Sequence, residues 1–332
     1  MTANSENEEK VNVGDFLGKN PAQYDLSDPG IEIIDQPGLP KQVVIDGRWR
    51  IWYGFGVKEI RTAMDYTPVK GDILVCSFHR SGLTWTKQML HALMRPQIPL
   101  EQQFKTETST IHDVFPCADI CGGAAAGKLP RPCVFNHHNH PDMVPMSKDC
   151  KYIWLIRNPK DVCVSYHKVT QGMIHSNYAN GEFSTTVGLF MEGKTCFSSY
   201  WDHALAWLKL SKTMDNLILL KYEDIQKDRR ATLKRLGEFI GGTAKATAND
   251  PQLLENAFER SRFETMQSKQ HLYASNDIWV DGKNEMVRRG LVGGWRDYFT
   301  KEQSDQFDKV FQRHFAGTEI ADWWKDEMKW ID

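Results

Sequence analysis

Residues 73–87 read Ile-Leu-Val-Cys-Ser-Phe-His-Arg-Ser-Gly-Leu-Thr-Trp-Thr-Lys, and this stretch decides the fold. Ile73 to Cys76 follow the turn signal Lys70-Gly71-Asp72 and are apolar or small throughout, which predicts a strand buried on both faces, as in a parallel sheet. Ser77 to Gly82 then form a loop, and a helix begins near Leu83 with its body over 84–93. Ser81, Thr84 and Thr86 bring hydroxyls, Gly82 lets backbone N–H groups approach an anion, and Arg80 brings charge to the positive end of the helix. The turn reads as a phosphate cradle. A Walker A loop needs G-x-x-x-x-G-K-[ST], and neither its first glycine nor its lysine is present, so an ordinary nucleoside triphosphatase is disfavoured. No carboxylate pattern for Mg²⁺ accompanies the loop either, which argues against a kinase-like phosphotransferase.

Outward from this turn, strands and helices alternate. Short strands are expected over 42–45, at Val134-Phe135, over 152–156 and over 217–220. Helices are expected over 57–64, 162–169, 204–213 and 233–240, with Tyr222-Glu223-Asp224 as a turn. Residues 96–130, with three prolines, paired glycines and Ala124-Ala125-Ala126, read as irregular surface chain bordering a substrate site. This order predicts an α/β fold, a central parallel sheet flanked by helices with a P-loop-like strand-loop-helix, whose ligands sit beyond the carboxyl ends of the strands.

The 332 residues are 41% hydrophobic, enough for one large core, and nothing marks two domains. Residues 1–30, rich in Asn, Glu, Asp and Gly, are expected to be a poorly ordered tail before a single domain over 31–332. The net charge of -2 gives no global basic field, so nucleic acid and anionic membranes are unexpected partners and any anion site is local. Seven scattered cysteines fit reduced thiols better than a disulfide framework. Cys117-x-x-x-Cys121 has no second pair at finger spacing, so no metal is expected. With no apolar leader at 1–10 and no run of about 18 apolar residues, a soluble cytoplasmic protein is expected.

Three separated segments carry a resemblance. Ser77 to Trp85 resembles the 5′-phosphosulfate loop of the cytosolic sulfotransferases, usually Tyr-Pro-Lys-Ser-Gly-Thr-Thr-Trp. Arg157-Asn158-Pro159-Lys160-Asp161-Val162-Cys163-Val164-Ser165-Tyr166 is similar to that family's 3′-phosphate motif. Arg288-Arg289-Gly290-Leu291-Val292-Gly293-Gly294-Trp295-Arg296 resembles its late Arg-Lys-Gly-x-x-Gly-Asp-Trp-Lys signature. The likeness spans roughly residues 35–320 and includes Tyr200-x-x-His203 and Leu220-Lys221-Tyr222-Glu223-Asp224.

The resemblance implies the cofactor 3′-phosphoadenosine 5′-phosphosulfate (PAPS), with the desulfated nucleotide PAP as product and no metal. It implies Arg80, Ser81, Gly82, Leu83 and Thr84 at the phosphosulfate, and Arg157, Ser165, Arg288, Arg289 and Gly290 at the 3′-phosphate. A planar arginine binds phosphate bidentately while a hydroxyl completes the shell. Taken alone, Arg157 paired with Asp161 is the competing reading. Trp85, Tyr222 and Phe263 match positions around the adenine, and Ser261 stands near them where the family usually has threonine.

On the acceptor side, Asn136-His137-His138-Asn139-His140-Pro141 resembles Lys-[Thr/Ser]-His-Leu-Pro. Aligning the family's second proline with Pro145 implies His138 as general base, with His137 and His140 as the alternatives and Asn136 in place of an assisting lysine. An imidazole accepts the proton of an attacking hydroxyl at neutral pH. Arg80 replaces the lysine expected to stabilise the leaving group, and its wider fork makes that exchange non-conservative. His79 and Leu83 replace a proline and a threonine. The expected acceptor is a small, apolar or phenolic molecule carrying a hydroxyl or amine, walled by Phe104, Phe115, Tyr166 and Phe190. A lysine, Lys301, in place of valine in the family's pairing stretch implies a monomer or weak homodimer. The reading from a different class is a protein that binds PAPS or PAP and a small ligand with weak or no turnover.

Overall fold

The computed structural model describes residues 24–102, 110–123, 127–273, 278–280, 283 and 286–331. The chain enters through a three-stranded antiparallel sheet: β1 (Ile31–Ile34), β2 (Gln42–Ile45) and β3 (Trp49–Trp52), in that order. Of the tail expected over 1–30, residues 1–23 lie outside the described residues. Residues 24–30 make turns anchored by Tyr24, whose hydroxyl donates to the Phe55 carbonyl and accepts from Gly54 N–H.

After α1 (Val57–Ala63) come β4 (Asp72–Ser77) and α2 (Leu83–Met94), the strand, turn and helix read from residues 73–87. The segment expected to be irregular contains two single-turn helices, α3 (Ile111–Val114) and α4 (Ala118–Cys121). Thr110 starts the first, in a capping box with Asp113. Then follow β5 (Cys133–His137), β6 (Lys151–Ile156) and α5 (Pro159–Gly172). Pro159 at the first helical position and Asn158, whose side chain accepts from Lys160 N–H, start α5 earlier than expected.

The chain continues through α6 (Phe183–Met191), α7 (Tyr200–Ser211), β7 (Leu217–Lys221) and α8 (Tyr222–Lys227). Residues 222–224 are therefore the first turn of a helix rather than a free turn, with Glu223 and Asp224 favourably placed at its positive end. Next come α9 (Arg229–Ile240), α10 (Gly242–Asn249), α11 (Pro251–Arg260), α12 (Phe263–Ser268) and α13 (Lys301–Phe315).

β4 to β7 form one parallel sheet in the order β5-β4-β6-β7. Alternate residues of each strand point to opposite faces. Leu74, Cys76, Phe135, Tyr152, Trp154 and Ile156 pack into a core with α5, α7, α13 and the antiparallel sheet. Ile73, Val75, Val134, Ile153 and Leu155 pack on the other face with α2 and α9 to α11. Both cores share the one sheet, so the fold is a single α/β domain.

The register pairs Cys76 with His137, Ser77 with Leu155, and Ile156 with Lys221. The carboxyl ends of all four strands therefore lie along one edge. From β4 the chain steps outward to β5 and then back across β4 to β6. That reversal is a topological switch point, where α/β sheets open a crevice.

Candidate active site

One cleft occupies that edge. Gly82 has φ 105°, and a Cβ there would lie 2.7 Å from a Tyr222 ring carbon, so the turn closes only around glycine. No side chain caps the start of α2, which leaves the N–H groups of its first turn open to an anion. Arg80 adopts φ 71°, strained for a residue with a Cβ. Its Nε donates to Ser165 Oγ at 3.0 Å, and Nη2 donates to the Met286 carbonyl at 3.3 Å. Arg80, Gly82, Leu83, Thr84 and Ser165 line the cleft. Ser81 does not: it is fully buried, and its hydroxyl has no hydrogen-bond partner.

Arg157 crosses the cleft floor. One Nη donates to the Leu291 carbonyl at 3.0 Å, the guanidinium lies 4.1 Å from the Tyr222 ring centre, and the buried Nε has no partner. Asp161 is not its ion-pair partner. The Asp161 carboxylate accepts from the backbone N–H groups of Gly293, at 2.8 Å, and Trp295, at 3.0 Å. It thereby clamps the late segment onto α5, while burial raises its own pKa.

A second layer of braces lies behind this clamp. Trp295 Nε1 donates to the Glu327 carbonyl, Lys160 Nζ to the Met328 carbonyl, and Trp324 Nε1 to Glu223, which also accepts from Asn158 N–H. Arg288, Arg289 and Gly290, held by this clamp, line the cleft opposite the turn after β4. Arg288 donates to the Tyr298 hydroxyl, and Arg289 pairs with Asp297 at the surface. At Gly290, φ 60°, a Cβ would lie 2.6 Å from the Phe263 ring.

Between the two basic ends the cleft is aromatic. Trp85 and Tyr222 meet with centroids 5.5 Å apart, and both line the cleft with Phe263. Trp85 Nε1 donates to the Ser261 carbonyl at 2.8 Å. Ser261 itself is buried behind the indole, its hydroxyl donating to the Ala257 carbonyl, so it fixes Trp85 without reaching the cleft. Two glycines that a Cβ would close, the orphaned Arg157 Nε and the open turn of α2 suit a nucleotide with anions at both ends.

The acceptor half is built on the end of β5. Alternation turns Asn136 and His137 to opposite faces of the sheet, and His138 is the first residue beyond it. Asn136 donates to Cys117 Sγ, and His137 bonds Asp119 at 2.9 Å; neither lines the cleft. His140 accepts from Asp142 N–H at the start of a short turn, also away from the cleft. His138 alone of the three lines it.

The His138 backbone N–H donates to Asp119, and its Nδ1 lies 3.0 Å from the Ser77 carbonyl oxygen. A carbonyl only accepts, so Nδ1 carries the proton and Nε2 keeps the lone pair. Burial is the main cause that lowers the His138 pKa to about 4, against which Asp119 and the Ser77 bond pull upward. The imidazole is therefore neutral at pH 7. His79, 4.9 Å away ring to ring, and His112 also line the cleft, and burial holds both well below the usual histidine range.

His112, Gln226, Met286 and Val287 line the cleft but belong to no motif read from the sequence. Of the expected walls, Phe115, Tyr166 and Phe190 are core side chains that do not line the cleft, and Phe104 lies outside the described residues.

The family model of the sulfotransferase domain matches residues 70–319. Human Sulfotransferase 1C2 is 26% identical over 255 residues, covering 75% of this chain and 84% of that protein. Flavonol 3-sulfotransferase of Flaveria bidentis is 26% identical over 267 residues, 75% of this chain and 83% of its own length. The fold is similar to that of mouse sulfotransferase SULT7A1 complexed with PAP, with TM-score 0.64, 23% identity, and 82% of this chain and 95% of that one covered. It is also similar to that of retinol dehydratase in a complex with retinol and PAP, with TM-score 0.68, 17% identity, and 93% and 96% covered. With three quarters of its length matched by that model and the two anion sites of the resemblance lying in one cleft, the chain belongs to the sulfotransferase family and is a sulfotransferase.

Proposed function

We propose that this sulfotransferase takes PAPS as donor and a small, apolar or phenolic molecule bearing a hydroxyl as acceptor, with His138 as general base. The observation that carries the reading is the His138 imidazole at the cleft, neutral, with Nδ1 committed to the Ser77 carbonyl and Nε2 left as the acceptor of a proton.

When bound, PAPS supplies an activated sulfuryl group. The uncapped turn of α2 and Arg80 would hold its phosphosulfate end, Arg157, Ser165, Arg288 and the Gly290 backbone its 3′-phosphate, and Trp85, Tyr222 and Phe263 its base. Arg80 and Arg157 offset anionic charge, the Trp85 and Tyr222 rings fix orientation, and His138 Nε2 takes the proton from the acceptor hydroxyl. Ser81, buried with its backbone N–H donating to the Phe78 carbonyl, serves by shaping the turn rather than by touching the cofactor, and Ser261 serves through its hold on the Trp85 indole.

Seven buried, unpaired cysteines support a reducing, cytoplasmic setting. Among the described residues no helix is long and apolar enough to cross a membrane. A monomer or weak homodimer is the assembly we infer from Lys301.

The test is sulfuryl transfer from labelled PAPS to a panel of phenols and alcohols, with wild type and His138→Ala. Wild type transfers and His138→Ala loses the activity while still binding PAP. A wild type that binds PAP tightly and sulfates no acceptor would sink the reading and leave a nucleotide-binding protein in its place.

A further inference from the structure

Lys87 lies one turn into α2, on the face that carries Leu83 and Leu90, and its side chain is wholly buried. The ammonium donates to the Phe115 carbonyl at 2.5 Å and sits 3.2 Å from His112 Nδ1. Among the described residues no carboxylate lies within ion-pair distance of it. An ammonium has donors only, so His112 Nδ1 accepts. His112 lines the cleft with His138. Asn136, which stands where the resembled acceptor motif has a lysine, points to Cys117 instead of the cleft. The acceptor half therefore lacks a cation from β5 and has one from α2.

We propose that Lys87 is a positioning residue for the transfer: seated behind His112, it fastens the acceptor wall to the helix that starts at the phosphate turn and supplies the positive charge that Asn136 does not. The proposal rests on His138 being the base. Lys87 holds α3 at two points, His112 and the Phe115 carbonyl, so the wall moves with the turn that grips the donor.

Its charge is felt through a medium of low dielectric. The groups facing Lys87 are His112 and Asp113 of α3, Cys117, Asp119 and Cys121 around α4, and His138 after β5. Those facing His138 are Asp119, His137, His79, His112 and His203 besides Lys87. Burial brings Lys87 down to about 8, and its charge pushes His112 and His138 further toward the neutral form. With the charge gone, His138 protonates at higher pH.

Heteronuclear NMR of the histidine side chains, on the full chain saturated with PAP, tests this in wild type, Lys87→Met and Lys87→Arg. The His138 midpoint should move to higher pH in Lys87→Met and stay in place in Lys87→Arg. The acid limb of kcat/KM should move the same way, KM for the acceptor should rise several-fold, and PAP affinity should hold. A folded Lys87→Met with an unmoved His138 midpoint overturns the proposal.

Should that variant not fold, wild type decides alone. The His112 Nδ1 signal should shift between about pH 7 and 9 as Lys87 loses its proton, and a flat signal overturns the proposal. A wild type without transfer activity would instead sink the base reading, and the NMR titrations would still report on Lys87.

Discussion

Arg80 and Ser165 are joined by a hydrogen bond of 3.0 Å, which ties the turn after β4 to α5 across 85 residues of chain. The two residues were expected at opposite ends of one nucleotide, so the contact would couple the two anion sites proposed for it. A double-mutant cycle on PAP affinity, with Arg80→Ala and Ser165→Ala, should return a coupling of ~0.5–1.5 kcal/mol. Strict additivity in calorimetric titrations would mean that the two sites act independently.

Arg157 keeps a buried Nε without a partner and no carboxylate within ion-pair distance among the described residues. Replacing it with alanine should weaken PAP binding by about 1.5–3 kcal/mol, the range for hydrogen bonds to a charged group. Lysine should restore only part of this, because it lacks the fork. Equal affinity of Arg157→Ala and wild type in titration calorimetry would remove the residue from the site.

The pH profile of transfer follows from His138. With His138 as the proposed base its neutral form is the active one, and its pKa is lowered to about 4, so the proton that would stop catalysis arrives only in strong acid. We expect kcat/KM to stay level from pH 7 down to about 5 and to fall below that, rather than at the 6.5 of a free imidazole. An acid limb near 6.5 in steady-state rates would contradict a buried base.

Folding stability has its own acid limb. Burial lowers His79, His91, His112, His138, His167 and His203, with His91 brought to about 3 and His167 to about 4. In the unfolded chain each binds a proton near 6.5, so below that pH the unfolded state holds more protons and stability drops. Each group contributes up to about 1.4 kcal/mol per pH unit until its folded pKa is reached. Scanning calorimetry should find Tm nearly constant from pH 8 to 7 and falling steeply between about 6.5 and 5. A flat Tm over that interval would show that these imidazoles are not held neutral.

The parts of this protein that sequence reveals are the local ones. Ile73 to Gly82 and Arg157 to Asp161 carry their strand, turn and helix signals within a dozen residues, and the register then sets their turns side by side. His138 was separable from His137 and His140 only through a resemblance, because strand alternation decides which side chain reaches the edge and the end of β5 is not marked in sequence. Asp161 looked like a partner for Arg157 because only three residues separate them in sequence, yet its carboxylate accepts from the backbone of residues 293 and 295. His112 follows a stretch without periodicity, so nothing local announced it. Lys87 did leave a trace: it falls at helical spacing between Leu83 and Leu90, where a lysine has to be buried.

The braces on the late segment bear on the birth of the protein. Asp161 holds Gly293 and Trp295, and that segment is in turn pinned by the carbonyls of Asp326, Glu327 and Lys329, which accept from Trp295 and Arg296. A chain emerging from the ribosome folds from its N-terminal side, so the phosphate turn, the sheet and His138 exist long before the second anion site has its walls. Nascent chains halted before residue 288 would carry His138, Arg157 and Ser165 but lack Arg288 and Gly290, the late half of the grip proposed for the far end of the nucleotide. Full donor affinity is thus expected only once residues 288–329 have folded onto the sheet, and nucleotide-dependent protection from proteolysis would mark that moment.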